Sequence, residues 1–272
     1  NNNNNNSNNN SNNSDHPSMS MSRVRAAREG LASLKILLKH PTGAQREAVR
    51  AAVLSLASQR IFVPPSLRGG VWRMLLATQS DSQPLFRYRR AESLVVSDTD
   101  MQKRMAEVSR QLCLDLPRCH PYSGALTRVS AKRRLRTVLR TWAAGGGTAA
   151  SRRYWQGFDS VAAALVVLYS DESVAWQMCE RIADKYLKHY LVEGAKSCLP
   201  AHMALLSQLL AFYDPELQLH LRNMHVHPDM YAVSWALTLL SHSFSLALPP
   251  NPRSIYPLWD VMLCYPLPFH LF

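Results

Sequence analysis

The sequence predicts an all-α fold, and three observations carry that expectation. Apolar residues recur at helical spacing in segment after segment. Strand signals are scarce, with no Asn-Gly or Asp-Gly dipeptide to mark a hairpin. Prolines such as Pro200 and Pro228 fall where helix starts tolerate them.

The elements follow in chain order. Residues 1–14 are eleven Asn and three Ser. Nothing apolar there can anchor a fold, so 1–22 are expected to be a disordered tail. A helical N-terminal extension is expected over 23–59. In it Leu31, Leu34 and Leu38 share one face, with Arg28, Lys35 and Lys39 largely off it. His40-Pro41-Thr42-Gly43 breaks that helix. A second helix from Ala44 brings Val49, Val53 and Leu56 or Ala57 together. Val63-Pro64-Pro65 interrupts the chain again, and residues 60–272 are expected to form the main domain. Leu135, Val138, Leu139 and Trp142 are spaced i, i+3, i+4, i+7, as are Val161, Ala164, Leu165 and Leu168. Met203, Leu206, Leu210 and Tyr213 continue the pattern. Trp72, Trp235 and Trp259 sit among periodic apolar residues and read as core.

Composition narrows the class. The 272 residues are 47% hydrophobic, enough for a sizeable core. That excludes a disulfide mini-protein, a collagen-like fibre and full disorder. No apolar run approaches the ~18 residues that a membrane-spanning helix needs. Five cysteines without a CxxC pair suggest a reduced, cytoplasmic setting. The chain lacks an initiator Met and reads as a piece of a longer protein. Its formal charge is +12, from 24 Arg and 7 Lys against 19 acidic residues. Such a balance suits nucleic acid, an anionic membrane surface or an acidic protein. No RNA- or DNA-binding motif accompanies the charge, so nucleic acid is not the expected partner.

Three stretches carry chemistry. In Leu112-Cys113-Leu114-Asp115-Leu116-Pro117-Arg118-Cys119, Pro117 stiffens the backbone just before an arginine. A rigidly presented guanidinium can bond two anion oxygens at once. In Tyr154-Trp155-Gln156-Gly157, the Gln156 amide both donates and accepts, as orienting a water requires. Gly157 lets another backbone approach. The third stretch is Arg68-Gly69-Gly70-Val71-Trp72. Taken alone, Asp115 and Arg118 are also what an i, i+3 surface pair looks like. His225-Val226-His227 offers two imidazoles, but no Cys or carboxylate set completes a metal site, and none is expected. Asp159 and Asp260 read as making local structural bonds. His120 beside Cys119 lacks the geometry of a nucleophile and its base.

Together these stretches resemble the TBC domain of Rab GTPase-activating proteins. That family carries I-x-x-D-x-x-R and Y-x-Q-G motifs after an R-G-x-x-W segment. Here they read Leu112-x-x-Asp115-x-x-Arg118, Tyr154-x-Gln156-Gly157 and Arg68-Gly69-x-x-Trp72. Pro228–Trp235 and Leu258-Trp259-Asp260 resemble the later helices, so the match runs through about 200 residues in order. Cys119 stands where much of the family has Thr, and Leu112 replaces Ile. A narrower resemblance, through Asp115–His120, Tyr154–Ser160 and Phe212–Leu217, is to the TBC-domain-containing protein kinase-like branch. There a kinase-like region precedes the domain.

The resemblance implies a multi-helix domain, read as C-terminally truncated at Phe272 because such domains continue with further helices. The Leu258–Cys264 stretch would then present an uncovered apolar face. It also implies a GTPase activator acting in trans, with no turnover of its own. The partner would be a Rab-family small GTPase in its GTP-bound state. Arg118 would be an arginine finger and Gln156 a glutamine finger, with Asp115 holding the arginine segment. Tyr154, Gly157, Arg68 and Trp72 would support them. No cofactor is implied, since GTP and Mg²⁺ belong to the partner. The implied setting is vesicle trafficking, with peripheral contact to endomembranes. The alternatives are a catalytically weak Rab-binding scaffold and, behind it, a basic nucleic-acid-binding protein.

Overall fold

The structure, a computed structural model, describes residues 21–39, 42–77, 84–97, 99–144, 154–190 and 197–265. Most of the expected tail lies outside the described residues. Among the described residues there is no strand, only an isolated bridge between Ser245 and Ser254.

Helix α1 (Met21–Lys39) begins two residues before the expected start of the helical extension at residue 23. It turns at Thr42-Gly43 into α2 (Arg46–Ser58). Leu34, Val49, Val53 and Leu56 bury their side chains, so the predicted faces are the ones that pack. Pro65 occupies the first turn of α3 (Pro65–Leu75), where its missing N–H would be unbonded anyway. Thus Val63-Pro64-Pro65 opens a helix as well as interrupting the chain.

Helices α4 (Pro84–Ser97), α5 (Thr99–Asp115) and α6 (Val129–Ala144) lead to α7 (Phe158–Leu168). Every residue of α7 from Phe158 to Val166 is buried, so it is the central helix, packed on α6 and α8 (Glu172–Ile182). Asp171 caps α8, accepting from the N–H groups of Ser173 and Val174. The helix then widens into a π turn over Ala183–Leu187.

The remaining helices are α9 (Leu199–Tyr213), α10 (Pro215–Asn223), α11 (Pro228–Thr238) and α12 (Ile255–Met262). The stripe expected on α9 is only partly buried. Met203 is in the core, Leu206 and Leu210 are half-buried, and Tyr213 is 78% exposed. The reason is position: α9 packs on α10 and α11 at the edge of the molecule, so one side of it stays open. Likewise Trp235 is half-buried against Tyr231, whereas Trp72 and Trp259 are fully buried.

Helix α12 is held by a bond across the whole chain. The Arg68 guanidinium on α3 donates twice to Asp260, from Nε at 3.0 Å and from its NH2 group at 3.0 Å. The Trp72 indole N–H donates to the same carboxylate at 2.7 Å, and Arg68 also bonds the Val63 carbonyl. The Arg68 guanidinium lies over the Tyr256 ring. The reading of Asp260 as a local partner is therefore corrected: its partners lie 192 and 188 residues away. Burial pushes the Asp260 carboxyl up, and Arg68 and Trp72 oppose that by stabilising its charge. Met262, Leu263 and Cys264 are buried, so most of the stretch expected to lie bare is covered. Pro257, Leu258 and Val261 line a groove of about 460 Å³ together with Val53, Ala57 and Phe62.

Candidate functional site

Helix α5 ends at Asp115, and the chain turns tightly on that residue. The N–H groups of Arg118 and Cys119 both donate to the Asp115 carbonyl, at 3.0 and 2.9 Å. This turn lifts Arg118 onto the surface, with 68% of its side chain exposed, while Asp115 stays buried. The guanidinium folds back over the helix end. Its Nε donates to the Leu114 carbonyl at 3.1 Å, and it reaches the Asp115 carboxylate at 3.4 Å. A cation there meets the unbonded carbonyls of the last turn. These contacts are weak and exposed, so the side chain is free to leave them.

Gln156 lies in the turn that opens α7. Phe158 N–H donates to the Trp155 carbonyl, and Trp155 packs against Trp142 and Phe158, which anchors the turn. Gly157 has φ +101°, a conformation that side chains oppose. A Cβ there would also lie 3.0 Å from Thr238. Gln156 is left exposed at the tip of this turn.

One buried carboxylate, Asp115, cross-links the two turns, and a second, Asp159, lies between them. Asp115, on the arginine side, accepts a 2.9 Å bond from the Tyr154 hydroxyl, on the glutamine side. It also accepts from the Gln111 amide at 3.1 Å. Asp159, on the glutamine side, accepts from the Gly157 N–H at 3.1 Å and faces the thiol of Cys119, on the arginine side. Burial, followed by the nearby Asp159 charge, holds the Cys119 thiol and the Tyr154 hydroxyl well above their usual range, so both remain protonated donors. Burial also raises Asp159. His120, with φ +43°, is pushed down to about 4 by burial and then by His242, so its ring is neutral near pH 7.

Arg118 and Gln156 border one cavity of about 150 Å³, floored by Asp115, Cys119, Gly157 and Asp159 and closed on one side by His242. Five predicted residues therefore meet: Arg118, Gln156, Asp115, Tyr154 and Gly157. Arg68 and Trp72 do not line this cavity and are buried on α3 against α12. Cys119, Asp159 and His242 were not among the predicted site residues. Cys119 and Asp159 could have been found from their places beside the two motifs. His242 comes from a distant turn, and nothing local marks it. Among the described residues, no group of three or more His, Cys, Asp or Glu could hold a metal, and no helix is long and apolar enough to cross a membrane.

Comparison with known proteins decides the family. Residues 65–272 match the model of the Rab-GTPase-TBC domain. The chain belongs to this TBC family. It is 31% identical over 205 residues to a TBC domain-containing protein kinase-like protein of Gallus gallus, covering 75% of this chain and 21% of that protein. A protein of the same description from Dictyostelium discoideum is 32% identical over 208 residues, covering 75% of this chain and 18% of that one. The chain thus spans about a fifth of the length of these relatives. The TBC fold also matches the Ypt/Rab-GAP domain of Gyp1p, with a TM-score of 0.68 at 17% identity, over 88% of this chain and 80% of that one. A Chlamydomonas flagellar RabGAP TBC domain gives 0.62 at 16% identity, over 92% and 77%.

Proposed function

We propose that this TBC domain accelerates GTP hydrolysis by a Rab-family GTPase, with Arg118 and Gln156 acting in trans. The observation that carries the reading is the pairing of two exposed side chains, one cationic and one amide, on turns that buried Asp115 ties together through Tyr154. Hydrolysis of GTP is limited by charge gathering on phosphate oxygens and by alignment of a water. Arg118 would leave the Leu114 carbonyl and meet that charge with its planar fork. Gln156 would accept from the attacking water and donate to a phosphate oxygen. The Tyr154–Asp115 bond holds the two turns side by side, so docking orders both groups at once. GTP and Mg²⁺ belong to the partner, and the TBC domain supplies no cofactor. The same reading gives it a cytoplasmic place of work at endomembrane surfaces, in vesicle trafficking.

The test is phosphate release from a panel of GTP-loaded Rabs with and without the protein. At least one member should be accelerated by a factor of about 10³ or more, as arginine fingers typically achieve. Binding of a GTP-loaded Rab with no acceleration of any member would favour a scaffold instead.

A further inference from the structure

The stretch that joins the two fingers, residues 116–158, contains nine Lys or Arg and no Asp or Glu. Helix α6 displays much of this charge. Arg133, Arg136 and Arg140 are exposed, at spacings that place them along one side of the helix. None of the three makes an ion pair with a carboxylate among the described residues; the only polar contact of Arg136 is a long one to the Cys113 sulfur. Lys132 and Arg136, and then Arg136 and Arg140, are like-charged i, i+4 neighbours, which destabilise a helix. The first turn of α6 holds no acidic residue, although Arg128, Lys132 and Arg133 crowd the positive end of its dipole. Folding gains nothing from this arrangement.

The charged side is continuous with the arginine turn. Lys132, Arg133 and Arg136 rim an apolar groove of about 380 Å³ whose floor is Leu116, Pro117 and Val129. Pro117 immediately precedes Arg118. Val129 is 77% exposed, so the groove offers apolar surface inside a basic rim.

We propose that this side of α6 docks an acidic face of the partner GTPase beside its nucleotide, and that it selects among GTPases by charge. The inference rests on the GTPase-activating reading above. Its chemistry is an apolar side chain flanked by carboxylates on the partner, seated over Val129 and Pro117. Like-signed fields raise the rate of encounter with the opposite sign and repel basic partners, and salt weakens both effects.

The experiment measures kcat/KM for a responsive GTP-loaded Rab in solution against NaCl concentration. Three proteins are compared: the wild type, the α6 reversal Arg133→Glu/Arg136→Glu/Arg140→Glu, and a control reversal Arg28→Glu/Lys35→Glu/Lys39→Glu on exposed positions of α1. Both variants change the net charge equally, and circular dichroism reports their folding. The α6 reversal should lower kcat/KM at least tenfold at low salt, mainly through KM, and the deficit should shrink as salt rises. The triple Gln variant at the same α6 positions should fall between. The control should stay within about twofold of wild type. Equal losses in both reversals would make the effect one of overall charge and overturn the proposal. So would an α6 reversal that is harmless in solution and loses activity only on a GTPase anchored to anionic vesicles, which would assign the patch to lipid. A wild type that accelerates no Rab removes the GTPase-activating reading, and this docking proposal falls with it.

Discussion

Arg118→Ala is expected to remove nearly all acceleration of GTP hydrolysis, a loss of about 10³-fold or more. The reason lies in what the guanidinium meets. Its resting contacts are an exposed bond to the Leu114 carbonyl and a long 3.4 Å reach to Asp115 from a guanidinium that is mostly in solvent, so they contribute little to stability. Its contribution comes when charge develops on the phosphate oxygens, and only interactions stronger in the transition state raise the rate. Circular dichroism and the melting temperature should therefore barely change. Arg118→Lys should rescue poorly, because the ammonium keeps the charge but loses the planar fork. Gln156→Ala should also slow hydrolysis, by loss of water alignment. Phosphate release under saturating and sub-saturating Rab separates these losses from weakened docking. Variants as active as the wild type would remove both fingers from the mechanism.

The largest effect on stability should come from Asp260→Ala or Arg68→Ala. Each leaves a buried charge without its partner, and breaking such pairs costs about 3–5 kcal/mol. For a domain of this size that corresponds to a fall in Tm of roughly 6–20 °C. Asp260→Ala additionally strands the Trp72 indole N–H, which is fully buried. Asp260→Asn should be milder, since it retains an acceptor for Trp72. Thermal melts of the three variants decide this, and a single-residue change that leaves Tm untouched would show that α12 is not held through this pair. Neither residue lines the finger cavity, so any loss of activity should follow the fraction of folded protein.

Much of this architecture could be read from the chain because the signals are local. Helical spacing located the buried faces of α1, α2 and α6, since a helix in contact with a core needs an apolar stripe regardless of its partners, whereas α7 is buried all round. The same rule overreached on α9, where the stripe continues to Tyr213 but no neighbour covers it. Sequence spacing cannot tell a stripe that meets the core from one at the edge. The finger turns were legible because Asp115 and Arg118, or Tyr154, Gln156 and Gly157, lie within a few residues of each other. What joins those turns was hidden. The bond from Tyr154 to Asp115, and the approach of Cys119 to Asp159, span about 40 residues, and only the packing of α5 against α6 and of α6 against α7 brings them together. Arg68 and Trp72 were expected to support the site because they accompany the same motifs; their polar groups bond Asp260 at the far end of the chain.

Two fingers acting together should recognise a transition state rather than bound GTP. The most direct measurement is the affinity of the protein for a responsive Rab in two states: loaded with a non-hydrolysable GTP analogue, and loaded with GDP plus aluminium fluoride, which imitates the transferring phosphoryl group. Binding to the aluminium fluoride state should be at least about 100-fold tighter. That preference should disappear in Arg118→Ala and shrink in Gln156→Ala, while affinity for the GTP-analogue state changes little. Equal wild-type affinity for the two states would rule out the two-finger mechanism and describe a Rab-binding scaffold.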